Sequence, residues 1–208
     1  MINIFRILIA FICMLLTVSA VKAKEINQDA KASVSNSAKD KLDKKVKIFK
    51  FIKLVQPKYT DSYVQKIVDA IFKYGKKYNV EPYIIASTAY VESEFSMRSR
   101  PCIGIMQLLR SSMRWLNPKK EYDPYTIDGN IALGTKELSM HIHRNVDRGN
   151  LIDRSSNNDR TLRYMWGRYN GAGSKSYYSS KTLKVMRTLV SKDLDEIKNR
   201  LKKGPIWR

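Results

Sequence analysis

Cysteine is nearly absent from this 208-residue chain. Cys13 lies in the first, apolar segment, and Cys102 stands alone in everything that follows. Once that first segment is removed no intramolecular disulfide can form, so the fold must rest on its core, which 43% hydrophobic composition permits. Histidine is equally scarce. His141 and His143 lie two residues apart; on a helix such residues point in different directions, which makes a poor metal site and gives Cys102 no base to activate it. Cys102 therefore reads as a small buried hydrophobe, and no metal or cofactor is expected. Strand-like alternation of useful length and internal repeats are both missing, which leaves an all-α domain. Acidic residues are few, 19 against 39 Lys and Arg, for a net charge of +20. Such a polycation meets anionic surfaces such as wall polymers or lipid head groups; this bears on partners and identifies no reaction.

A long apolar run is lacking at the N-terminus as well. Ile7 to Val18 follows the positive Arg6 but is too short for a comfortable membrane span. Val18-Ser19-Ala20 and Val21-Lys22-Ala23 then offer two cleavage sites, so residues 1–23 read as a signal peptide and the protein as exported, to the periplasm or cell envelope. The alternative is an uncleaved anchor. Phe11-Ile12 before Cys13 lacks the small residues of a lipidation site. Cleavage after Ala23 removes Arg6 and Lys22 and leaves about +18.

Residues 24–57 form a basic extension. Lys24 to Lys39 is a spacer poor in large apolar residues. From Asp40 to Val55, Leu42, Val46, Phe49 and Ile52 recur at helical steps with lysines between them. This is either a membrane-surface helix or the first helix of the domain with a solvated Lys face, the second being preferred. The catalytic domain is expected over 58–190 and a basic tail over 191–208. Thr60 or Asp61 caps a helix from Ser62 to Tyr78. Further helices are expected over Ser111–Leu116, from Asn130 through Ile142, over Thr161–Trp166 and over Ser179–Val190, with a polar loop from Arg148 to Asp159.

The most informative stretch is Tyr90-Val91-Glu92-Ser93-Glu94-Phe95. Pro82, favoured at a first helical position, opens an apolar run that carries Glu92 near its end, one turn beyond Thr88 and Ala89. A carboxyl on the apolar side of a helix resists ionisation and is suited to giving up a proton at neutral pH. The plainer alternative is a rim glutamate paired with a Lys or Arg, and the stretch alone leaves both open. Glu94 faces elsewhere and reads as a surface carboxylate beside Arg98.

Three further segments complete a pattern: Gly104-Ile105-Met106-Gln107, Asp123-Pro124 with Asn130-Ile131-Ala132-Leu133-Gly134, and Tyr169-Asn170-Gly171-Ala172-Gly173. With Glu92-Ser93, in this order, they resemble the soluble lytic transglycosylase (SLT) domain over about Ser62 to Leu189. The resemblance implies a lysozyme-like, goose-type/SLT single domain that cleaves peptidoglycan glycan strands. In that family one glutamate acts first as acid and then as base, and the substrate's own C6 hydroxyl replaces water. It implies Glu92 as the acid. Gly104 would let backbone approach a sugar ring; Met106 and Gln107 would line the cleft; Tyr169 would reach the acid or an N-acetyl group; Asn170 would hold the loop. Ser99 stands as a shifted candidate for the family's positioning serine, because the link from Glu92 to Gly104 is short. Tyr177 is a sugar-contact candidate, while Trp115, Trp166 and Tyr178 read as core aromatics. Arg168 departs from the usual alanine before the Tyr-Asn pair. Partners implied are peptidoglycan and, from the charge, anionic envelope polymers or a membrane surface; nucleic acid is not expected. The competing classes are a goose-type muramidase using water and a cationic wall-binding protein without catalysis.

Overall fold

The computed structural model describes residues 36–146, 159–171 and 173–191. The expected signal peptide, the spacer up to residue 35, the polar loop over 147–158 and the tail from residue 192 lie outside them. The chain divides into two compact units between Lys44 and Lys45. In the first, residues 36–44 are helical, Leu42 is exposed, and Lys44 pairs with Asp40 at 3.2 Å.

The second unit is all-helical among its described residues, apart from a single bridge between Ile103 and Leu108. Its helices are α1 (residues 45–55), α2 (Asp61–Tyr78), α3 (Pro82–Ser93), α4 (Met113–Leu116, after a 3-10 turn at Arg110–Ser112), α5 (Ile127–Val146), α6 (Asp159–Asn170) and α7 (Tyr177–Val190). None of the described helices is long and apolar enough to cross a membrane.

Ile48, Phe51 and Ile52 on α1 are buried, and Phe51 meets Tyr90 and Phe95 edge-on at 4.9 and 5.8 Å. Residues 45–55 therefore pack as part of the second unit, in line with the preferred reading of this segment as a first helix. The buried face also differs from the expected one: Val46 is exposed and Phe49 only half-buried, so the helix turns Ile48, Phe51 and Ile52 inward. Large side chains three and four apart make one face, and the core selects the face that carries Phe51.

Helix α3 is the axis. Pro82 starts it, the Glu81 side chain caps it, and every residue from Tyr83 to Tyr90 is buried. A helix apolar all round needs neighbours on several sides. Helix α2 and helix α7 pack against it, α5 packs on α2 and α6, and α6 on α7. Trp166 of α6 is fully buried and donates its indole N–H to Thr88 Oγ1 at 2.9 Å. Helix limits differ from expectation where caps were misread. At α2 Thr60, one of the two expected caps, is the cap, whereas Thr126 accepts the N–H of Gly129 and Asn130, so α5 starts at Ile127 and Asn130 lies inside it. Ser176 caps α7, which therefore starts at Tyr177.

Candidate active site

Glu92 is the penultimate residue of α3. The helix closes through Glu94 and Phe95, both left-handed at φ 55° and 63°, which buries Phe95 and leaves Glu94 exposed. Glu94 forms no ion pair with Arg98; its charge acts on Lys181. Ser93 is buried, and its hydroxyl lies 2.7 Å from the Ile105 carbonyl. This ties the end of the acid-bearing helix to the Gly104–Gln107 turn.

That turn is a small hairpin. Ile103 and Leu108 exchange both backbone hydrogen bonds at 2.9 Å. Asn130 holds it from α5: its amide N–H groups donate to Ile103 O (2.9 Å) and Pro124 O (3.0 Å), and its Oδ1 accepts from Met106 N (2.8 Å). Gly104 has φ +73°, and a Cβ there would lie 2.1 Å from the Asn130 amide. The expectation that Gly104 makes room for a sugar is thereby corrected, because the space beside it is filled by Asn130. Met106 is fully buried and packs on Gly134, so its side chain is core and does not line a cleft. Gln107 turns its own amide back onto Gly104 O at 2.6 Å and caps the turn.

Around Glu92 the structure gathers side chains from four helices. Tyr178 of α7 donates its hydroxyl to Glu92 Oε1 at 2.5 Å. Tyr169 of α6 donates to Met106 O at 2.8 Å, and the charges of Glu92 and Glu137 both act on it. Glu137 of α5 is 9% exposed. Burial pushes Glu92 up to about 7 from 4.5, against the pull of the Tyr178 hydrogen bond and of Lys181. Burial, and then the Glu92 charge, push Glu137 up to about 7 as well. The tyrosine hydroxyls are held neutral by burial and by these carboxyls. A carboxyl in this setting holds a proton near neutral pH and can still lose it, which suits acid–base work. A family model, the transglycosylase SLT domain, matches residues 69–177, more than half the chain and all four motif segments.

The chain belongs to the transglycosylase SLT domain family. It is thereby of the lytic-transglycosylase type, directed at peptidoglycan. No solved structure matches it.

Of the residues expected in this SLT site, Glu92 and Tyr169 come together, and Gly104, Met106 and Gln107 build the turn that joins them. Ser99 is exposed; its carbonyl accepts from Arg110 at 3.0 Å. Asn170 is exposed at the end of α6, and Tyr177 is 66% exposed at the start of α7. Two residues were missed. Tyr178 reads as core from the sequence because aromatics at helical spacing mostly are. Counted from Ser176, it sits one turn before Thr182 on the inward face. Glu137 was passed over because it falls at no catalytic position of the motifs, although Asn130, Gly134, Glu137 and His141 follow one another at steps of four, three and four.

Proposed function

We propose that this SLT domain cleaves the β-1,4 bond between N-acetylmuramic acid and N-acetylglucosamine, with Glu92 as acid and then base. The protonated carboxyl gives its proton to the bridging oxygen as the bond from C1 of the muramyl unit breaks. The resulting carboxylate takes the proton of the muramyl C6 hydroxyl as O6 bonds to C1. The product is a 1,6-anhydro-muramyl end, the carboxyl is regenerated, and no water is consumed. The observation that carries this reading is the Glu92 carboxyl, hydrogen-bonded to Tyr178 and pushed up to about 7. At neutral pH it is populated in both of the forms the two half-reactions need.

Glu92→Gln tests it. The amide keeps shape but cannot donate the proton, so the variant should fold, bind sacculi and release anhydromuropeptides about a hundred- to ten-thousand-fold more slowly. Turnover near the wild-type rate overturns the assignment. Hydrolysis by water is the second reading, and Glu137, a second carboxyl in the same cluster, is the observation that favours it. Borohydride separates the two, since anhydro ends do not react with it and hydrolytic ends do.

The domain would act outside the cytoplasm. Arg6 and the Ile7–Val18 run support export, and the net charge of +20 supports adherence to anionic envelope polymers or a membrane surface. Exported protein should begin after Ala20 or Ala23; an intact Met1 would show an anchor.

A further inference from the structure

Helix α5 presents Asn130, Gly134, Glu137 and His141 along one face. The first bonds Met106 N, the second packs against the Met106 side chain, and the last meets the Tyr169 ring edge-on at 6.5 Å. Glu137 is thus placed where the Gly104–Gln107 turn and Tyr169 meet, inside the wall of the site. Among the described residues its carboxyl has no hydrogen-bond donor and no cation, and the one charged group of theirs that acts on it is Glu92.

An acid buried in this way, with no partner among the described residues, is costly to a fold unless it does something. We propose that Glu137 is a positioning residue for the site's proton: the two carboxyls share protons near neutrality, and the charge of Glu137 governs when Glu92 is protonated. This rests on the reading of Glu92 as the acid. Two like charges held close in a poorly solvated site do not ionise independently; loss of a proton from one makes loss from the other harder. Burial raises both carboxyls, and the Glu92 charge raises Glu137 further; repulsion between like charges is reciprocal, so a charged Glu137 extends the range over which Glu92 still has a proton to give.

The other titratable groups facing this pair do not supply a rival explanation. From α7, Tyr178 donates to Glu92, and Lys181, its ammonium disfavoured by burial, pulls Glu92 down. From α6, Tyr169 stays neutral and donates to Met106 O; on α5 itself His141 lies against that ring, and Cys102 acts on Tyr169 from the loop. From α2, Lys73 and Tyr74 are bound to Asp128, and Lys77 and Tyr78 to Tyr122. Arg114 of α4 is exposed, and Lys136 of α5 donates to Leu116 O.

The test is the pH profile of kcat/KM on soluble peptidoglycan strands. Removing the neighbouring charge lets Glu92 ionise sooner, so Glu137→Gln should move the alkaline limb to lower pH by roughly half a unit or more. A purely structural role would lower the rate without moving the limb, and an unmoved limb overturns the proposal. A second measurement needs no change at Glu137: carboxyl 13C titration of the intact protein and of Glu92→Gln. The proposal requires two carboxyls with biphasic curves in the former, and in the latter a single-step Glu137 curve displaced to lower pH. Independent single-step curves in the intact protein overturn it, even if Glu137→Gln does not fold. Turnover by Glu92→Gln is read separately, and its retention would sink the acid assignment while leaving the titrations as they are.

Discussion

The domain contains two carboxyl–tyrosine pairs of the same short geometry and opposite character. Tyr74 donates to Asp128 Oδ2 at 2.5 Å, and Tyr178 donates to Glu92 Oε1 at 2.5 Å. At Asp128 burial pushes the carboxyl up, but the Tyr74 hydrogen bond and Lys73, 3.0 Å away, outweigh it and hold the group below its ordinary value. Its place in the first turn of α5, where the helix dipole favours negative charge, works the same way. At Glu92 the same kind of hydrogen bond is present and burial wins, since the nearest help comes from a Lys181 that burial itself disfavours. A phenol donor is therefore not what makes a carboxyl basic or acidic; depth and the presence of a solvated cation decide. One pair fastens α2 to α5, and the other joins α3 to α7 at the carboxyl proposed as the acid.

The sharpest way to break the comparison is to neutralise each acid. Glu92→Gln should cost about two to four orders of magnitude in turnover, whereas Asp128→Asn should keep turnover and lose about 1 kcal/mol of stability. The next effect is on stability against pH, and the signs are opposite. Glu92 and Glu137 rise from 4.5 to about 7 on folding, so within that window the unfolded chain releases protons that the folded chain keeps. Stability contributed there is complete below pH 4.5 and is lost as pH rises through about 7, on the order of 1–3 kcal/mol per group. Asp128 is lowered from 3.8, so its contribution is present above 3.8 and is lost as pH falls below it. Urea midpoints from pH 3 to 9 would show both slopes, and Glu92→Gln should flatten the alkaline one only.

Turning to the phenols, Tyr178→Phe removes the hydrogen bond that lowers Glu92, so the alkaline limb should move up while turnover falls about tenfold from lost orientation. Tyr74→Phe should leave both unchanged; a matching loss there would show that the two pairs are one network. The smallest effect belongs to Lys73. Its ion pair with Asp128 is 60% and 55% exposed at the two side chains, so Lys73→Ala should leave the urea midpoint almost unmoved, and any small shift should fade with salt.

How much of this was legible in the sequence depended on whether the signal was local. Pro82 and the apolar run behind it placed Glu92 near the end of a buried helix, and the motif order brought Tyr169 to it. What failed was the meaning of residues that act across the fold. Gly104 looks like an opening because glycine is small; that Asn130 fills the space is decided by α5, 26 residues on. Met106 looks like a cleft residue because it belongs to a motif, yet its side chain packs on Gly134 in the core. Tyr178 reads as core because aromatics at helical spacing mostly are, and nothing local tells that its hydroxyl meets a carboxyl 86 residues earlier in the chain. Polar residues on an inward face carry no apolar signature, so periodicity passes over them.

The Asn130–Gly104 contact bears on how this chain can change over generations. A single amide satisfies two carbonyls and one N–H, from Ile103, Pro124 and Met106. A Cβ at residue 104 would sit 2.1 Å from that amide, and a smaller residue at 130 would admit the Cβ but strand all three backbone groups. Aspartate at 130 fits the volume yet turns a carboxylate toward two carbonyl oxygens. No single step away from the pair preserves the turn, so a change at one position calls for a compensating change at the other.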